Sequence, residues 1–257
     1  HLCLFLSVSK EELALVKHHG IDLITPDQEF SVGTYTDIYK ALKQNCEAQN
    51  KNLIIVGGSS FYLRTLLQGL SPIPQYSDET KKTVQELLQD LPAAYALLQK
   101  VDPLYMTGID PSDRYRIEKM LLIYIETKLP PTAYFEKFPP QPIIEELPIY
   151  EIDVSREYLK ERIRLRTQKM IDMGLIDEVC DLEYRYSRLP NALKAIGIIE
   201  VFDYLDGRIS TEEMKEQIIT HTAQLAKRQQ TFNRTQFPSR KLLSIDEIYK
   251  EAKALLG

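Results

Sequence analysis

A run of four apolar residues, Leu53 to Val56, ends directly in Gly57 and Gly58, and this junction limits the folds open to the chain. A short, wholly apolar run bounded by glycine is typical of a parallel strand that is buried on both faces. Because residues 61–68 have a helical pattern, the junction predicts a strand, a tight turn and a helix. Backbone amides at the start of such a helix favour an anion, so Gly57, Gly58 and Ser59 are candidates for contacting a phosphate. An ordinary turn that needs glycine only for its geometry explains these residues equally well.

Helical and extended segments alternate around this junction. The pattern predicts helices at residues 10–17, 34–48, 61–68 and 156–174, a mainly helical stretch at 76–129, and extended segments at 21–24, 149–154 and 242–245. Six prolines between residues 130 and 148 predict a connecting loop rather than a helix. Strands that alternate with helices indicate an α/β fold with a parallel sheet. We therefore expect an α/β core made of residues 1–75 and 149–257, and a mainly helical insertion domain at 76–148.

Composition excludes several classes of protein. Of the 257 residues, 44% are hydrophobic and 27% are charged. No apolar run reaches the roughly 18 residues that a membrane span requires. The stretch Leu2 to Leu6 is too short for the core of a signal peptide, so we expect a cytoplasmic protein without a membrane anchor. The three cysteines lie far apart and form no Cys-x-x-Cys pair, which argues against a zinc or redox site.

One predicted helix is strongly basic, although the whole chain carries a net charge of −5. Between residues 156 and 169, six Lys or Arg residues stand against two Glu. A spacing of four residues is expected to place Arg162, Arg166 and Met170 on one helical face, where a cation beside apolar neighbours can reach an anionic ligand. Because acidic side chains lie nearby, a solvated face of ion pairs explains the same pattern, and the residues alone favour that interpretation.

A phosphate-binding loop of the form Gly-x-x-x-x-Gly-Lys-Ser/Thr does not occur in the sequence. In such a loop, the backbone amides and the lysine hold the phosphates of a ligand. The chain opens on His1 rather than Met, and residues 7–12 have the pattern of a helix start. We therefore expect the natural protein to begin further upstream, and whether it has a phosphate loop there stays open.

The last hundred residues contain three phrases of unusual composition. The first is formed by Arg156, Leu159, Arg162, Ile163, Arg166, Met170, Gly174, Leu175, Ile176, Glu178 and Val179, the second by Ala195-Ile196-Gly197, and the third by Ala226-Lys227-Arg228-Gln229-Gln230-Thr231-Phe232 with Arg234. Earlier in the chain stand His18-His19-Gly20-Ile21-Asp22, Gly57-Gly58-Ser59-Ser60-Phe61-Tyr62 and Asp113-Arg114-Tyr115-Arg116-Ile117. Together these phrases resemble those of the tRNA dimethylallyltransferases, also called tRNA isopentenyltransferases.

The resemblance implies a fold, a reaction and partners. It implies a P-loop NTPase-like parallel sheet core, a helical insertion domain that contacts the tRNA anticodon region, and added C-terminal helices that bind tRNA. The implied reaction transfers a dimethylallyl group from dimethylallyl diphosphate to the exocyclic amine of the adenosine beside the anticodon and releases diphosphate. Mg²⁺ on the phosphates is the implied cofactor, and a monomer is the expected working unit.

The resemblance also implies roles for individual residues. Arg166 matches the arginine that contacts the substrate diphosphate in this family, so it is the expected catalytic residue. A guanidinium suits this leaving group because bidentate hydrogen bonds neutralise the charge that builds as the carbon–oxygen bond breaks. Gly57 and Gly58 are expected beside the same diphosphate, and no residue is expected to ligate a metal. The positions expected to contact tRNA are Ser59, Lys81, Tyr115, Arg116, Ile117, Glu118, Lys119, Lys194, Ala195, Ile196, Gly197, Ile198, Ile199, Thr222, Gln224, Lys227, Arg228 and Gln229.

Several positions depart from the family's pattern. Ile198 and Ile199 stand where the family has tyrosine and lysine, and Ala223 stands where it has arginine. The chain contains no Trp, so aromatic stacking near the third phrase would fall to Phe232. His221 and two histidines near the N-terminus lack a carboxylate set at ligand spacing, so we assign them neither a metal nor a catalytic role.

Two other functions stay open at this point. An adenylate dimethylallyltransferase shares the donor and the phosphate loop but modifies a free nucleotide, and it has little need for the helices at 76–129 or for Lys227 and Arg228. A non-catalytic RNA-binding remnant needs no phosphate loop. The basic C-terminal phrases favour a tRNA substrate over a free nucleotide.

Overall fold

A computed structural model describes residues 15–256 of the chain. Most of the helix expected at residues 10–17 lies outside this range, as does the apolar stretch Leu2 to Leu6. The described chain is mainly helical. In chain order its elements are α1 (Val32–Ala48), α2 (Ser60–Gln68), α3 (Asp78–Leu87), α4 (Leu91–Val101), α5 (Pro103–Met106), α6 (Arg114–Thr127), α7 (Pro131–Lys137), β1 (Tyr150–Ile152), α8 (Arg156–Asp172), α9 (Leu175–Tyr186), a 3₁₀ helix (Asn191–Lys194), α10 (Ile198–Leu205), α11 (Thr211–Gln236), β2 (Lys241–Leu243) and α12 (Ile245–Leu256).

The chain divides into two compact units. One unit consists of residues 1–63 and 147–257, and the other of residues 64–146. The sequence pattern predicts the corresponding borders after residues 75 and 148. None of the helices within residues 15–256 is long and apolar enough to cross a bilayer.

Local capping explains why several predicted helices form where they do. The helix expected at 34–48 is α1, and the Ser31 hydroxyl caps it by accepting a hydrogen bond from the Thr34 amide at 3.1 Å. The helix expected from residue 156 is α8, and Ser155 caps it by accepting from the Tyr158 amide at 3.1 Å. Both predictions are confirmed. In each case the serine that caps the helix directly precedes it in sequence, so the helix start depends on local residues.

The described residues contain one sheet, which has two strands. β1 and β2 pair in parallel, with Tyr150 opposite Lys241 and Ile152 opposite Leu243. β1 lies inside the predicted extended segment 149–154, and β2 overlaps the predicted segment 242–245 but begins one residue earlier, so both strands are confirmed. An ion pair between Arg240 and Glu151, both largely buried, joins the two strand segments beside this register.

The strand predicted at Leu53 to Val56 is wrong for the described chain. Residues 51–57 have no regular structure, and Ile54 and Val56 are 64% and 90% exposed. An apolar run indicates that a segment tolerates burial, but a strand exists only where a second backbone accepts and donates its hydrogen bonds. No described segment within residues 15–256 pairs with this run. The extended segment expected at 21–24 is likewise irregular.

The loop predicted between residues 130 and 148 is partly wrong, because it contains the helix α7. Pro131 is the first residue of this helix, where the amide hydrogen that proline lacks would have no partner within the helix. The proline φ angle is also compatible with a helical turn. Proline interrupts a helix when it lies in the helix interior, but at the first position, as here, it is compatible with the helix start.

The unit of residues 64–146 has its own apolar core. α3 and α4 pack against α6, and α7 packs against α6 as well. The buried side chains are Val84, Leu88, Ala94, Leu98, Met106, Ile109, Ile117, Met120, Leu121, Leu122, Ile123 and Tyr134. These contacts account for the compactness of the unit.

The buried carboxylate of Asp102 joins two elements of this unit, α5 and α7. It caps α5 by accepting from the Tyr105 amide at 3.1 Å, and it accepts from the amide and the hydroxyl of Thr132 at 2.6 and 3.0 Å. Burial by itself would raise the pKa of Asp102, but these hydrogen bonds outweigh it and hold the pKa below the ordinary value. The ionised carboxylate therefore stabilises the contact between α5 and the start of α7.

We predict that Asp102→Asn lowers the free energy of unfolding at neutral pH by about 1–3 kcal/mol, because hydrogen bonds to a charged group are lost or weakened. Since the folded pKa lies below the unfolded one, the contribution is complete above about pH 4 and disappears as the pH falls through the folded pKa. Urea unfolding at pH 7 and in an acidic series measures both effects. Asp78→Asn, at an exposed carboxylate, should change neither curve, and an equal effect of the two substitutions would contradict the prediction.

The unit of residues 1–63 and 147–257 is held together by α8 to α11. α11 packs against α8 and α10, and α9 packs against both α8 and α10. The buried side chains are Met170, Leu175, Val179, Leu182, Leu193, Ile198, Val201, Phe202, Met214 and Ile218. All three phrases of the C-terminal region lie on or beside these four helices.

Candidate functional site

Helix α8 exposes its basic side chains and buries a narrow apolar stripe. Ile163, Thr167 and Met170 face the core, whereas Arg162 and Arg166 are exposed. The expectation that both arginines share a face with Met170 is wrong, because a spacing of four residues advances about 40° around the helix at each step. After two steps Met170 has turned into the buried stripe. Arg166 stands next to this stripe and is exposed.

The turn after residues 53–56 contacts the C-terminal helix. Gly58 lies so close to the side chain of Gln229 on α11 that a Cβ on Gly58 would be about 3.1 Å from Gln229 Cδ and still closer to Nε2. Gly57, by contrast, has open space around it. The Ser59 carbonyl accepts from the Tyr62 amide at 3.0 Å in the first turn of α2. Two motifs that are far apart in sequence, Gly57-Gly58-Ser59 and Lys227-Arg228-Gln229, therefore meet.

A shallow depression of about 390 Å³ lies along the C-terminal half of α11. It is lined by Lys227, Arg228, Thr231, Phe232 and Thr235. Both cations are exposed, and neither takes part in an ion pair within residues 15–256. A cation can contact a phosphate, and an aromatic ring can stack on a base.

The segment 194–199 is fixed by a buried carboxylate that follows it. Glu200 is 2% exposed and accepts a hydrogen bond from the Gly197 amide at 2.6 Å. Its second oxygen lies 2.5 Å from Nδ1 of His221 on α11. Lys194 and Ala195 are exposed at the surface of this segment, and the Lys194 ammonium donates to the Asn191 side chain at 3.1 Å.

The predicted contact residues of the unit 64–146 lie on α3 and α6. Lys81 pairs with Asp78 at 3.0 Å on the exposed face of α3. At the start of α6, the Lys119 ammonium lies 5.3 Å from the centre of the Tyr115 ring, which is itself 68% exposed. Arg116 Nη1 lies 3.2 Å from the carboxylate of Asp113. Tyr115 and Lys119 therefore place an aromatic ring and a cation side by side at the start of α6.

Two side chains expected to contact tRNA do not reach the surface. Ile117 and Ile198 are both fully buried, each in the core of its own unit. They follow Arg116 and Gly197 in sequence, and the helical periodicity that exposes one residue of a motif turns its neighbour inward. Contacts made by these motifs would therefore come from the neighbours, such as Tyr115 or Ile199.

Within residues 15–256, no group of three or more His, Cys, Asp or Glu side chains is arranged to hold a metal ion. An ion bound mainly by the phosphates of a substrate is compatible with this finding, because Mg²⁺ commonly takes few protein ligands.

Two side chains of this site, Glu200 and His221, were not among the residues predicted from the sequence. The signal for the first was the spacing Gly197-x-x-Glu200, in which the third helical residue accepts from the amide at the helix start. No sequence signal pairs residue 200 with residue 221, since the contact depends on how α10 packs against α11.

Comparison with known proteins supports the resemblance. The family model described as "IPP transferase" matches residues 7–236. The chain is 53% identical over 229 residues to a tRNA dimethylallyltransferase of Sulfurimonas denitrificans, which covers 89% of this chain and 77% of the relative. It is 50% identical over 243 residues to a tRNA dimethylallyltransferase of a Sulfurovum species, which covers 94% of this chain and 81% of the relative.

Solved structures give the same result for the fold. The structure of a tRNA isopentenylpyrophosphate transferase from Staphylococcus epidermidis has a TM-score of 0.62 at 25% identity, covering 96% of this chain and 84% of that one. A eukaryotic dimethylallyltransferase acting on tRNA has a TM-score of 0.75 at 22% identity, covering 88% of this chain and 58% of that one. The α/β fold class expected from the sequence, with its P-loop NTPase-like core, is confirmed.

The family match and the curated relatives thus define a class of protein, the prenyltransferases that modify tRNA. Within that class, this chain belongs to the IPP transferase family.

We predict that Gly58→Ala changes the free energy of unfolding by less than about 1 kcal/mol, because the new methyl group meets only the end of the flexible Gln229 side chain. Gly69→Ala is the matched comparison, since its Cβ would meet the backbone of Gln141 at a glycine with φ of 76°. That substitution should lower the free energy of unfolding by about 2 kcal/mol or more. Urea unfolding measures both, and equal losses would show that Gln229 cannot move aside.

Proposed function

We propose that this chain transfers a dimethylallyl group from dimethylallyl diphosphate to the exocyclic amine of the adenosine beside the tRNA anticodon. The observation that carries the proposal is the family match over residues 7–236, a range that contains every position expected to contact diphosphate or tRNA. The named activity of relatives at 50% and 53% identity supports it.

The reaction exchanges one bond at the allylic carbon for another. The amine nitrogen bonds to that carbon as the bond from carbon to the bridging oxygen of the diphosphate breaks, and the amine releases a proton. Negative charge builds on the departing diphosphate, and a guanidinium that accompanies it lowers the barrier. Arg166 is the proposed group, because it is exposed beside the apolar stripe of α8 and because the family uses arginine at this position. Gly57 and Gly58 are proposed to lie beside the same diphosphate.

Recognition of tRNA is proposed to involve several surfaces. On α11, Lys227 and Arg228 supply cations for the phosphates, and Phe232 in the same depression offers a ring for base stacking. On the separate unit, Tyr115 and Lys119 offer a similar combination. An adenosine in an anticodon loop can leave its stack at a modest cost, which suits an enzyme that must reach the exocyclic amine.

Three further properties belong to this proposal. Mg²⁺ is proposed to accompany the diphosphate, because it neutralises charge on phosphate oxygens while keeping much of its own water shell. A cytoplasmic location is proposed because tRNA is the substrate. A monomer is proposed as the working unit, since all the proposed contacts lie on one chain.

We predict that, with dimethylallyl diphosphate and Mg²⁺, the protein adds the mass of one dimethylallyl group to unmodified tRNA and none to AMP. Mass spectrometry of the RNA after nuclease digestion, and of the nucleotide, measures both outcomes. Labelling of AMP instead would identify an adenylate dimethylallyltransferase. Binding of tRNA without labelling of either substrate would identify a non-catalytic RNA-binding protein.

We predict that Arg166→Ala lowers the turnover of tRNA by about tenfold or more, the effect of losing one well-placed electrostatic donor. Arg166→Lys should recover only part of the rate, because an ammonium cannot form the bidentate contact. The matched control is Arg164→Ala, which removes an exposed arginine of the same helix that lies 3.4 Å from Glu161. Unchanged kinetics for Arg166→Ala would remove this residue from the site.

A further inference from the structure

The carboxylate of Glu200 is buried between two segments that are both expected to contact tRNA. It lies in the first turn of α10 and is 2% exposed. One oxygen accepts from the amide of Gly197, at 2.6 Å, in the segment 194–199. The other lies 2.5 Å from Nδ1 of His221, which directly precedes the segment 222–229 on α11. Since a carboxylate only accepts hydrogen bonds, Nδ1 carries the hydrogen and donates it.

The energetic cost of burying this carboxylate makes both donors important. A buried ionised group is strongly destabilising unless hydrogen bonds or an opposite charge compensate it. At Glu200 the compensation comes from one donor in each segment, so the carboxylate is satisfied only while the two segments keep their present spacing. Gly197 has φ of 98°, a conformation that turns its amide towards the carboxylate and that side chains other than glycine rarely adopt.

His221 contacts Glu200 but is not part of the apolar core of its unit. Its side chain is 43% exposed and, together with Glu213, Glu216, Gln217 and Thr220, it lines an open depression of about 210 Å³ on α11. The apolar contacts between α10 and α11 are made by other side chains, including Ile198, Val201, Met214 and Ile218. Removing the hydrogen bond from His221 therefore leaves these apolar contacts in place and affects mainly the segment 194–199, which Glu200 links to His221.

We propose that Glu200 and His221 are positioning residues for tRNA binding, a role that rests on the proposed function. The pair holds the segment 194–199 against α11 so that its exposed groups, such as Lys194, keep a fixed spacing from Lys227 and Arg228. Neither residue touches the RNA. The contacts to phosphate come from the cations that the pair holds in place.

The test compares two substitutions of His221 by the affinity of the whole chain for unmodified tRNA. His221→Asn keeps an N–H donor close to the position of Nδ1, whereas His221→Phe keeps the ring and loses the donor. We expect His221→Phe to weaken binding about fivefold or more, the effect of losing a hydrogen bond to a charged group, and His221→Asn to stay within about twofold of the parent. Glu216→Gln, an exposed change on the same helix, should have no effect.

Two further measurements distinguish positioning from a general loss of structure. Urea unfolding of each variant reports its stability, and the KM for dimethylallyl diphosphate should be unchanged while the KM for tRNA rises. Glu200→Gln keeps an acceptor for the Gly197 amide and offers an amide to His221, so it serves as the second variant if His221→Phe fails to fold. It should give an intermediate affinity.

The outcomes separate this proposal from the proposed function. Equal tRNA affinity of the parent, His221→Phe and His221→Asn would overturn the positioning role while leaving the prenyl transfer untouched. Equal weakening by the Asn and Phe variants would overturn it as well, since the donor would then not be the cause. A parent chain that binds no tRNA would overturn both proposals together.

Discussion

The burial of one end of α11 is the constraint on which the rest of the unit of residues 1–63 and 147–257 depends. Met214 and Ile218, in the N-terminal half of this 26-residue helix, are buried in the core that α8, α9 and α10 share. Because a helix is stiff, fixing this end also fixes side chains further along, about 20 Å from Met214 at a rise of 1.5 Å per residue. The cations Lys227 and Arg228 therefore occupy defined positions although they are themselves exposed.

Within residues 15–256, some cations pair with carboxylates and others do not. Arg188 pairs with Glu183 and Asp206 and also lies over the ring of Phe202, so it serves the packing of α9 against α10. Lys227 and Arg228 have no carboxylate partner within residues 15–256. A chain with a net charge of −5 can thus present a local cationic surface, because its acidic residues neutralise other cations.

In the same unit, two motifs are held by contacts with α11. Gly57-Gly58-Ser59 meets Gln229, and the segment ending at Gly197 is tied to His221 through Glu200. Both contacts end on α11. This helix therefore brings together groups that the family resemblance assigns separately to diphosphate and to tRNA, and it gives a physical reason for the spacing of the C-terminal phrases.

The sequence by itself determined those features whose causes lie within a few residues. The starts of α1 and α8 follow from Ser31 and Ser155, which cap the amides of the next turn, and the motifs that reveal the family are contiguous as well. Only the tertiary structure decided features that need two distant segments. The run Leu53 to Val56 lacks a paired strand in the described chain despite its apolar character, and the side chain of Met170 turns away from Arg166 into the core. The partners of Gly58 and Glu200 also come from α11, because pairing and burial depend on which surfaces meet in space, and local residue patterns do not encode that choice.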